Sequence, residues 1–221
     1  MNLHLAFSSP IWRDLINDIE DKDLLYLKNF ILDEEKKSKG QIRSNRGGWQ
    51  SNDYLADDLN DSVFNKLFSN FEAKANHCLR SMGSKSAAKV DNIWFNVSRE
   101  GNYNDSHCHL NTPMSGVFYV NVPDHNARIR FYNPNPVITY CNSFMDVDYS
   151  SDLTFHEVWF EPVEKHLIMF PGWMFHSVDK NESEEPRISI AFNIKLIQKT
   201  NINGLINADV INLFKKFECD V

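Results

Sequence analysis

The chain has 221 residues, of which 42% are hydrophobic, 13% aromatic and 24% charged, and its formal net charge at pH 7 is −7. This apolar content offsets the entropy of ordering and argues against a disordered chain, while the length suits one domain with one core. The negative charge disfavours nucleic-acid binding through overall charge, and no apolar run reaches the roughly 20 residues that span a bilayer.

The first ten residues lack the charged and apolar regions of a secretory signal, so we expect a cytoplasmic protein. The cysteines lie far apart without a C-x-x-C pair, which indicates free thiols and not a zinc knuckle or a disulfide framework. They are Cys78, Cys108, Cys141 and Cys219.

The N-terminal part, about residues 1–88, is predicted to be helical. Apolar residues recur at helical spacing from Asp21 to Lys37, with Asp21 placed to cap the first turn. A second helix is predicted from about Ser62 to Met82, with Gly83 as its stop. Between them, residues 44–51 contain two glycines beside a tryptophan, which predicts a loop that is either a lid or an ordinary surface turn.

From about residue 89 to 196 the pattern changes to short β-prone runs separated by turn residues, which favours a barrel or a sandwich. The predicted strands are Val90–Ser98, Ser115–Val122, Arg128–Tyr132, Glu157–Glu161, His166–Phe170, Phe175–Asp179 and Arg187–Lys195. A last helix is predicted at about 203–218. We therefore predict a single domain over residues 1–221, mainly β with flanking helices.

His107-Cys108-His109 is the first candidate set of metal ligands. Residues two apart in an extended strand face the same side, so both imidazoles can reach one metal ion. Asp105 is also two residues from His107, and Asp105 with His107 is an alternative pair. A short motif of this kind also arises by chance. Residues elsewhere in the chain must therefore show whether these histidines belong to a metal site.

A Pro171-Gly172 turn follows an apolar strand, and His176 comes directly after it. A distant third ligand is what a metal site at a barrel mouth requires. The strand that begins at Arg187 alternates, so that Arg187 and Ser189 share one face and the apolar residues share the other. A buried arginine requires an anionic partner.

Together these segments resemble the 2-oxoglutarate- and Fe(II)-dependent oxygenases, in particular a bacterial and phage family of that superfamily. The matching segments are Asn45–Ser51, Trp94–Val97, His107–His109, Ser115–Tyr119, Phe170–Pro171, His176 and Arg187–Asn193. The resemblance implies a double-stranded β-helix, which is a jelly-roll or cupin-type barrel. It also implies Fe(II) as cofactor, 2-oxoglutarate as co-substrate and O2 as oxidant, in a dioxygenase of the hydroxylase type.

Carried over by position, the resemblance makes His107, His109 and His176 the iron ligands. It makes Arg187, helped by Ser189, the catalytic group that binds the far carboxylate of 2-oxoglutarate, because a guanidinium can grip a carboxylate through two hydrogen bonds. Strands that flank a barrel mouth direct polar side chains into it, which adds further candidates for the co-substrate pocket. They are Asn96, Tyr119 and Asn193, together with Tyr103 and Ser115.

The second ligand departs from the superfamily pattern, in which this position is Asp or Glu. With His109 the expected site has three neutral histidines, unless a carboxylate such as Asp105 joins it. Three other interpretations stay open: an iron dioxygenase with three histidines that needs no 2-oxoglutarate, a non-enzymatic barrel that binds a metal or small ligand, and a zinc hydrolase. Arg187 and Ser189 favour the 2-oxoglutarate enzyme, because they provide a second carboxylate site.

The sequence does not name the substrate that is oxidised, since fold and cofactor do not define it. A small molecule and a peptide side chain both remain open, and the acidic charge makes a nucleobase or other nucleic-acid partner the least favoured. We expect no membrane partner, and a homodimer is compatible with the sequence.

Overall fold

The computed structural model describes residues 7–123, 127–147, 149, 151 and 153–197, so the helix predicted at about 203–218 lies outside the described residues. The described helices are α1 (Asp21–Lys37), α2 (Ser62–Ser81) and α3 (Pro136–Asn142), with a 3-10 turn at Ala56–Asp58. None of these described helices is long and apolar enough to cross a bilayer.

The strands fall into two antiparallel sheets. Their bounds are β1 Trp12–Leu15, β2 Asn45–Arg46, β3 Trp49–Gln50, β4 Tyr54–Leu55, β5 Ala87–Ser98, β6 Tyr103–His107, β7 Met114–Asn121, β8 Ile129–Tyr132, β9 Glu157–Phe160, β10 His166–Pro171, β11 His176–Val178 and β12 Arg187–Ile197. The larger sheet has the order β1-β10-β7-β12-β5-β3, with β4 also paired to β5. The smaller sheet has the order β2-β6-β11-β8-β9.

Strand β12 of the larger sheet has one apolar face and one polar face. On β12, Ile188, Ile190 and Phe192 are buried in the main core, and Phe192 stacks on Phe71 of α2 with ring centroids 4.1 Å apart. The side chains between them point to the other face, toward the smaller sheet. The alternation predicted for this strand is therefore confirmed, and it separates a helix-covered core from the space between the sheets.

A second apolar cluster joins the two sheets. It contains Tyr119, Ile168 and Phe170 of the larger sheet and Ile129 and Phe131 of the smaller sheet. Two antiparallel sheets packed face to face in this way form a jelly roll. The architecture agrees with the predicted double-stranded β-helix.

The predicted bounds of α1 are confirmed, but the predicted cap is wrong. The N-cap position is Glu20, whose backbone N–H donates to the Asp23 carboxylate at 3.0 Å, and Asp21 lies inside the first turn. Helix α2 ends as predicted: Gly83 follows it with φ +83°, a left-handed conformation that glycine adopts without strain.

All seven predicted strands are present, as β5 and β7–β12. The elements that were not predicted are the 3-10 turn, α3 and the strands β1–β4 and β6, which have two to seven residues each. Segments this short carry too few residues to show a period, so their conformation is set by the strands they pair with.

Candidate metal and co-substrate site

A cavity of about 950 Å³ lies between the two sheets and opens to solvent. It is lined by all but one of the residues that the sequence placed in the metal or co-substrate site. These are His107, His109, His176, Arg187, Ser189, Asn96, Tyr119 and Asn193, together with Ser115. Tyr103 is not among the lining residues, and its ring lies 5.9 Å from the Lys180 ammonium instead.

Three histidines converge at one end of this cavity. One ligand atom from each of His107, His109 and His176 lies within 4.8 Å of the others, which is a spacing that could hold one metal ion. Their ring centroids are 4.2 to 5.3 Å apart. His107 ends β6 and His176 begins β11, where the two residues are direct partners across the antiparallel pair.

His109 reaches the group by a different route from the one predicted. Strand β6 ends at His107, so the expected strand over residues 107–109 is wrong and alternation along a strand does not align the two rings. Beyond the strand, the His109 backbone N–H donates to the Gly172 carbonyl at 2.7 Å. This bond ties His109 to the turn that precedes His176, and the turn brings both rings into the cavity.

Each histidine has its Nδ1 atom within hydrogen-bond distance of an oxygen that can only accept a proton. The acceptors are the Asp105 carbonyl for His107 at 2.8 Å, the Met174 carbonyl for His176 at 3.0 Å and the Asn193 Oδ1 for His109 at 2.9 Å. A proton on Nδ1 leaves the lone pair on Nε2, the tautomer that binds a metal through Nε2. Asn193 Oδ1 also accepts from Ser115 at 2.7 Å, so the predicted pocket residue Asn193 orients His109.

Burial lowers the pKa of all three histidines below the ordinary value. The effect is largest for His176, which is 5% exposed and whose pKa falls to about 3, with the neighbouring His107 as a second cause. The group is therefore neutral at physiological pH, which is the form that a metal requires.

The low pKa of His176 gives the metal-free chain a pH-dependent stability. Between about 3 and the ordinary value of 6.5, the unfolded state binds more protons at this residue than the folded state does. We expect the free energy of unfolding to fall as the pH drops below about 6.5, by up to about 1.4 kcal/mol per pH unit from this residue. Thermal unfolding of the metal-free protein at several pH values between 7.5 and 5 measures this slope. His176→Asn should show a shallower slope, and parallel slopes would contradict the assignment.

The carboxylates that line the cavity each form an ion pair with a cation. The pairs are Asp105 with Arg46 at 2.5 Å, Asp53 with Arg43 at 3.1 Å and Asp91 with Lys195 at 3.2 Å. Among the described residues, the group that could hold a metal contains the three histidines and not Asp105. Asp105 contributes its backbone carbonyl to His107, while its carboxylate faces Arg46.

Arg187 lies in the wall of the cavity and is only 4% exposed. Its Nη1 donates to the Ala127 carbonyl at 3.2 Å, while its Nε has no hydrogen-bond partner among the described residues. Ser189 lies two residues along β12 on the same face, and its partner on β7 is Tyr119. Burial raises the pKa of Tyr119 to about 12, so its hydroxyl keeps its proton and can donate. A buried cation with an unused donor beside two hydroxyls is suited to a carboxylate.

One wall of the cavity comes from the segment for which the sequence left open a lid or an ordinary surface turn. Arg43, Ser44, Arg46 and Gln50 line it, and they come from the loop between α1 and the end of β3. This loop forms β2 and β3, which pair with β6 and β5 and so tie it into both sheets. The paired glycines beside Trp49 were the only sequence signal of a close backbone approach at this point.

Residues 92–193 match the family model described as "Putative 2OG-Fe(II) oxygenase", where 2OG is 2-oxoglutarate. The matched range contains the three histidines, Arg187 and Ser189. A search of the curated proteins finds no match.

Solved structures with a similar fold include several oxygenases. A prolyl-4-hydroxylase from Pseudomonas putida is 13% identical with a TM-score of 0.61, and the alignment covers 86% of this chain and 95% of that one. A Trichoplax adhaerens prolyl hydroxylase in complex with a peptide fragment of the hypoxia inducible factor oxygen degradation domain is 14% identical, with a TM-score of 0.56 and 82% of each chain covered. The epimerase SnoN from nogalamycin biosynthesis is 10% identical, with a TM-score of 0.58, 84% of this chain and 78% of that one.

At these identities the likeness concerns the fold, and it confirms the double-stranded β-helix. The family match concerns the β-rich core that carries the histidine group. Fe(II) suits this group of three imidazole donors. Residues 92–193 thus resemble the putative 2OG-Fe(II) oxygenases over the part of the chain that carries the histidine group, and this match supports Fe(II) as cofactor and 2-oxoglutarate and O2 as co-substrates.

Proposed function

We propose that this chain is a hydroxylase-type dioxygenase that couples decarboxylation of 2-oxoglutarate to oxidation of a second substrate. In this reaction a C–H bond of the substrate, 2-oxoglutarate and O2 give the alcohol, succinate and CO2. The observation that carries the proposal is the convergence of three neutral imidazoles in a cavity that also holds a buried arginine with an unused N–H.

His107, His109 and His176 would hold the iron through their Nε2 atoms. Iron, when bound, supplies the activation of O2 that oxidises the C–H bond. Three protein ligands would leave further coordination positions open to small ligands. The chain's own contribution is to fix the rings, and the acceptors of the three Nδ1 protons do so.

Arg187 would bind the far carboxylate of 2-oxoglutarate, with the hydroxyls of Ser189 and Tyr119 as further donors. The guanidinium is buried, so the carboxylate would be bound where water screens little and the pairing is strong. Asn96 is the partner of Ser189 on β5 and lines the same cavity, which supports a role for its carboxamide in this subsite.

Three neutral ligands should couple the binding of the metal to the binding of 2-oxoglutarate. The full charge of a divalent ion stays uncompensated until an anionic co-substrate joins it, because no carboxylate belongs to the described ligand group. The metal and 2-oxoglutarate should therefore strengthen each other's binding, as linked ligands do.

Anaerobic addition of Fe(II) and 2-oxoglutarate tests the proposal. We expect a visible charge-transfer band that requires both the iron and the keto acid, and no band when zinc replaces iron. Metal binding without the band would favour the metal-binding barrel or the zinc hydrolase. Consumption of O2 without any need for 2-oxoglutarate would favour the dioxygenase with three histidines.

For the oxidised substrate we propose a small molecule or a peptide side chain. The cavity of about 950 Å³ is at the upper end of the range of small-ligand sites, which leaves room beside the co-substrate. Of the similar structures, one is a complex with a peptide fragment, and another is an epimerase of a biosynthetic route. Both substrate classes therefore occur on this fold.

A further inference from the structure

Ser44 belongs to the cavity wall that the loop between α1 and the end of β3 forms, and it contacts one of the proposed ligands. Its Oγ lies 3.4 Å from the Nε2 atom of His107. The Nδ1 atom of this ring is already within hydrogen-bond distance of the Asp105 carbonyl. Ser44 therefore faces the nitrogen that is left for a metal.

The hydroxyl of Ser44 accepts one hydrogen bond and has one proton to donate. Asn104 Nδ2 donates to Ser44 Oγ at 3.1 Å, which uses one lone pair of the oxygen. Among the described residues, His107 Nε2 is the one acceptor within reach of the hydroxyl proton. When His107 Nε2 binds a metal, its lone pair can no longer accept a hydrogen bond. The Ser44 hydroxyl must then donate its hydrogen bond to another acceptor.

The backbone around Ser44 is held firmly, so the residue cannot simply move away. Its carbonyl accepts the Asp105 N–H at 2.9 Å, and the next residue, Asn45, pairs with Asn104 in the smaller sheet. Asn45 is buried, and its Nδ2 donates to two carbonyls of the same loop at 2.6 and 3.1 Å. The backbone at Ser44 is therefore fixed beside His107, and the bond from Asn104 Nδ2 orients the Ser44 hydroxyl toward the His107 ring.

We propose that Ser44 is a positioning residue whose hydroxyl donates a hydrogen bond to the small ligand that occupies the metal position next to His107. The inference rests on the proposed metal site. The ligand class is a small molecule or anion whose metal-bound atom can accept a hydrogen bond. The neighbouring cations are less suited to this contact, because Arg43 and Arg46 are paired with Asp53 and Asp105.

Azide titration of the Co(II)-loaded full chain tests this role without turnover, because azide is a small anionic ligand and Co(II) reports its binding by visible absorption. In Ser44→Ala we expect azide to bind about 2- to 12-fold more weakly, the effect of losing one hydrogen bond. In Ser44→Thr, which keeps the hydroxyl, azide affinity should stay within about 2-fold of native. Co(II) affinity should be nearly unchanged in both, since no ligand is removed.

Native azide affinity in Ser44→Ala would overturn the role of Ser44 and leave the metal site standing. Equal weakening in Ser44→Ala and Ser44→Thr would also overturn it, because the effect would then come from packing and not from the hydroxyl. Failure of the native chain to bind Co(II) would overturn both the metal site and the role of Ser44.

Discussion

His176→Ala should reduce metal affinity by about 100-fold or more and abolish turnover that depends on 2-oxoglutarate. Loss of a residue that only orients a ligand costs 10- to 100-fold in affinity, so loss of a ligand should cost at least as much. His176 comes from β11, whereas His107 and His109 lie within three residues of each other, so no neighbour in sequence can replace it. Isothermal titration with Fe(II) under anaerobic conditions, or with Co(II), measures the loss.

His166→Ala is the matched control for this substitution. His166 begins β10, outside the group of three histidines, and its Nδ1 contacts the Glu164 carbonyl at 3.2 Å. Its removal should leave metal affinity within about 2-fold of native, because an exposed contact of this kind contributes little. Equal metal affinity in His176→Ala and His166→Ala would contradict the proposed centre.

Arg187→Met should weaken 2-oxoglutarate binding by about 30-fold or more and leave metal affinity in the absence of the keto acid unchanged. Truncating one partner of a buried charge pair costs about 2–5 kcal/mol, and methionine fills most of the space while it removes the charge and the donors. Titration of the Fe(II)-loaded protein with 2-oxoglutarate, followed by the charge-transfer band, gives the affinity.

The same substitution has an opposite expected effect on the ligand-free protein. Arg187 is buried and its Nε lacks a partner among the described residues, so the unliganded fold carries a poorly compensated charge. The midpoint of thermal unfolding should therefore be equal or higher in Arg187→Met when no co-substrate is present. Arg187→Lys should bind 2-oxoglutarate with intermediate affinity, since it keeps the charge but loses the planar fork. Native 2-oxoglutarate affinity in Arg187→Met would exclude this carboxylate site.

Periodicity in the sequence predicted the framework of the fold. The apolar spacing of α1 gave its bounds, and the alternation in β12 separated Arg187 and Ser189 from the core residues on the other face. These features depend on residues that are a few positions apart in the sequence. Each can therefore be predicted from its own segment alone.

The parts that were not predicted depend on contacts between distant residues. Ser44 meets His107 across 63 positions, and Asn193 meets His109 across 84. Both contacts form when distant segments come together in the folded chain. A pattern among neighbouring residues in the sequence therefore cannot predict them. For the same reason His109 was assigned to the metal group on a strand that in fact ends at His107.

Succinate formation from 2-oxoglutarate by the Fe(II)-loaded chain, measured with O2 consumption, tests the central claim most directly. The native chain should form succinate slowly even without its second substrate, and His176→Ala and Arg187→Met should each form it at a small fraction of that rate. Equal succinate formation by all three proteins would contradict the assignment of the histidine group and the arginine to this reaction.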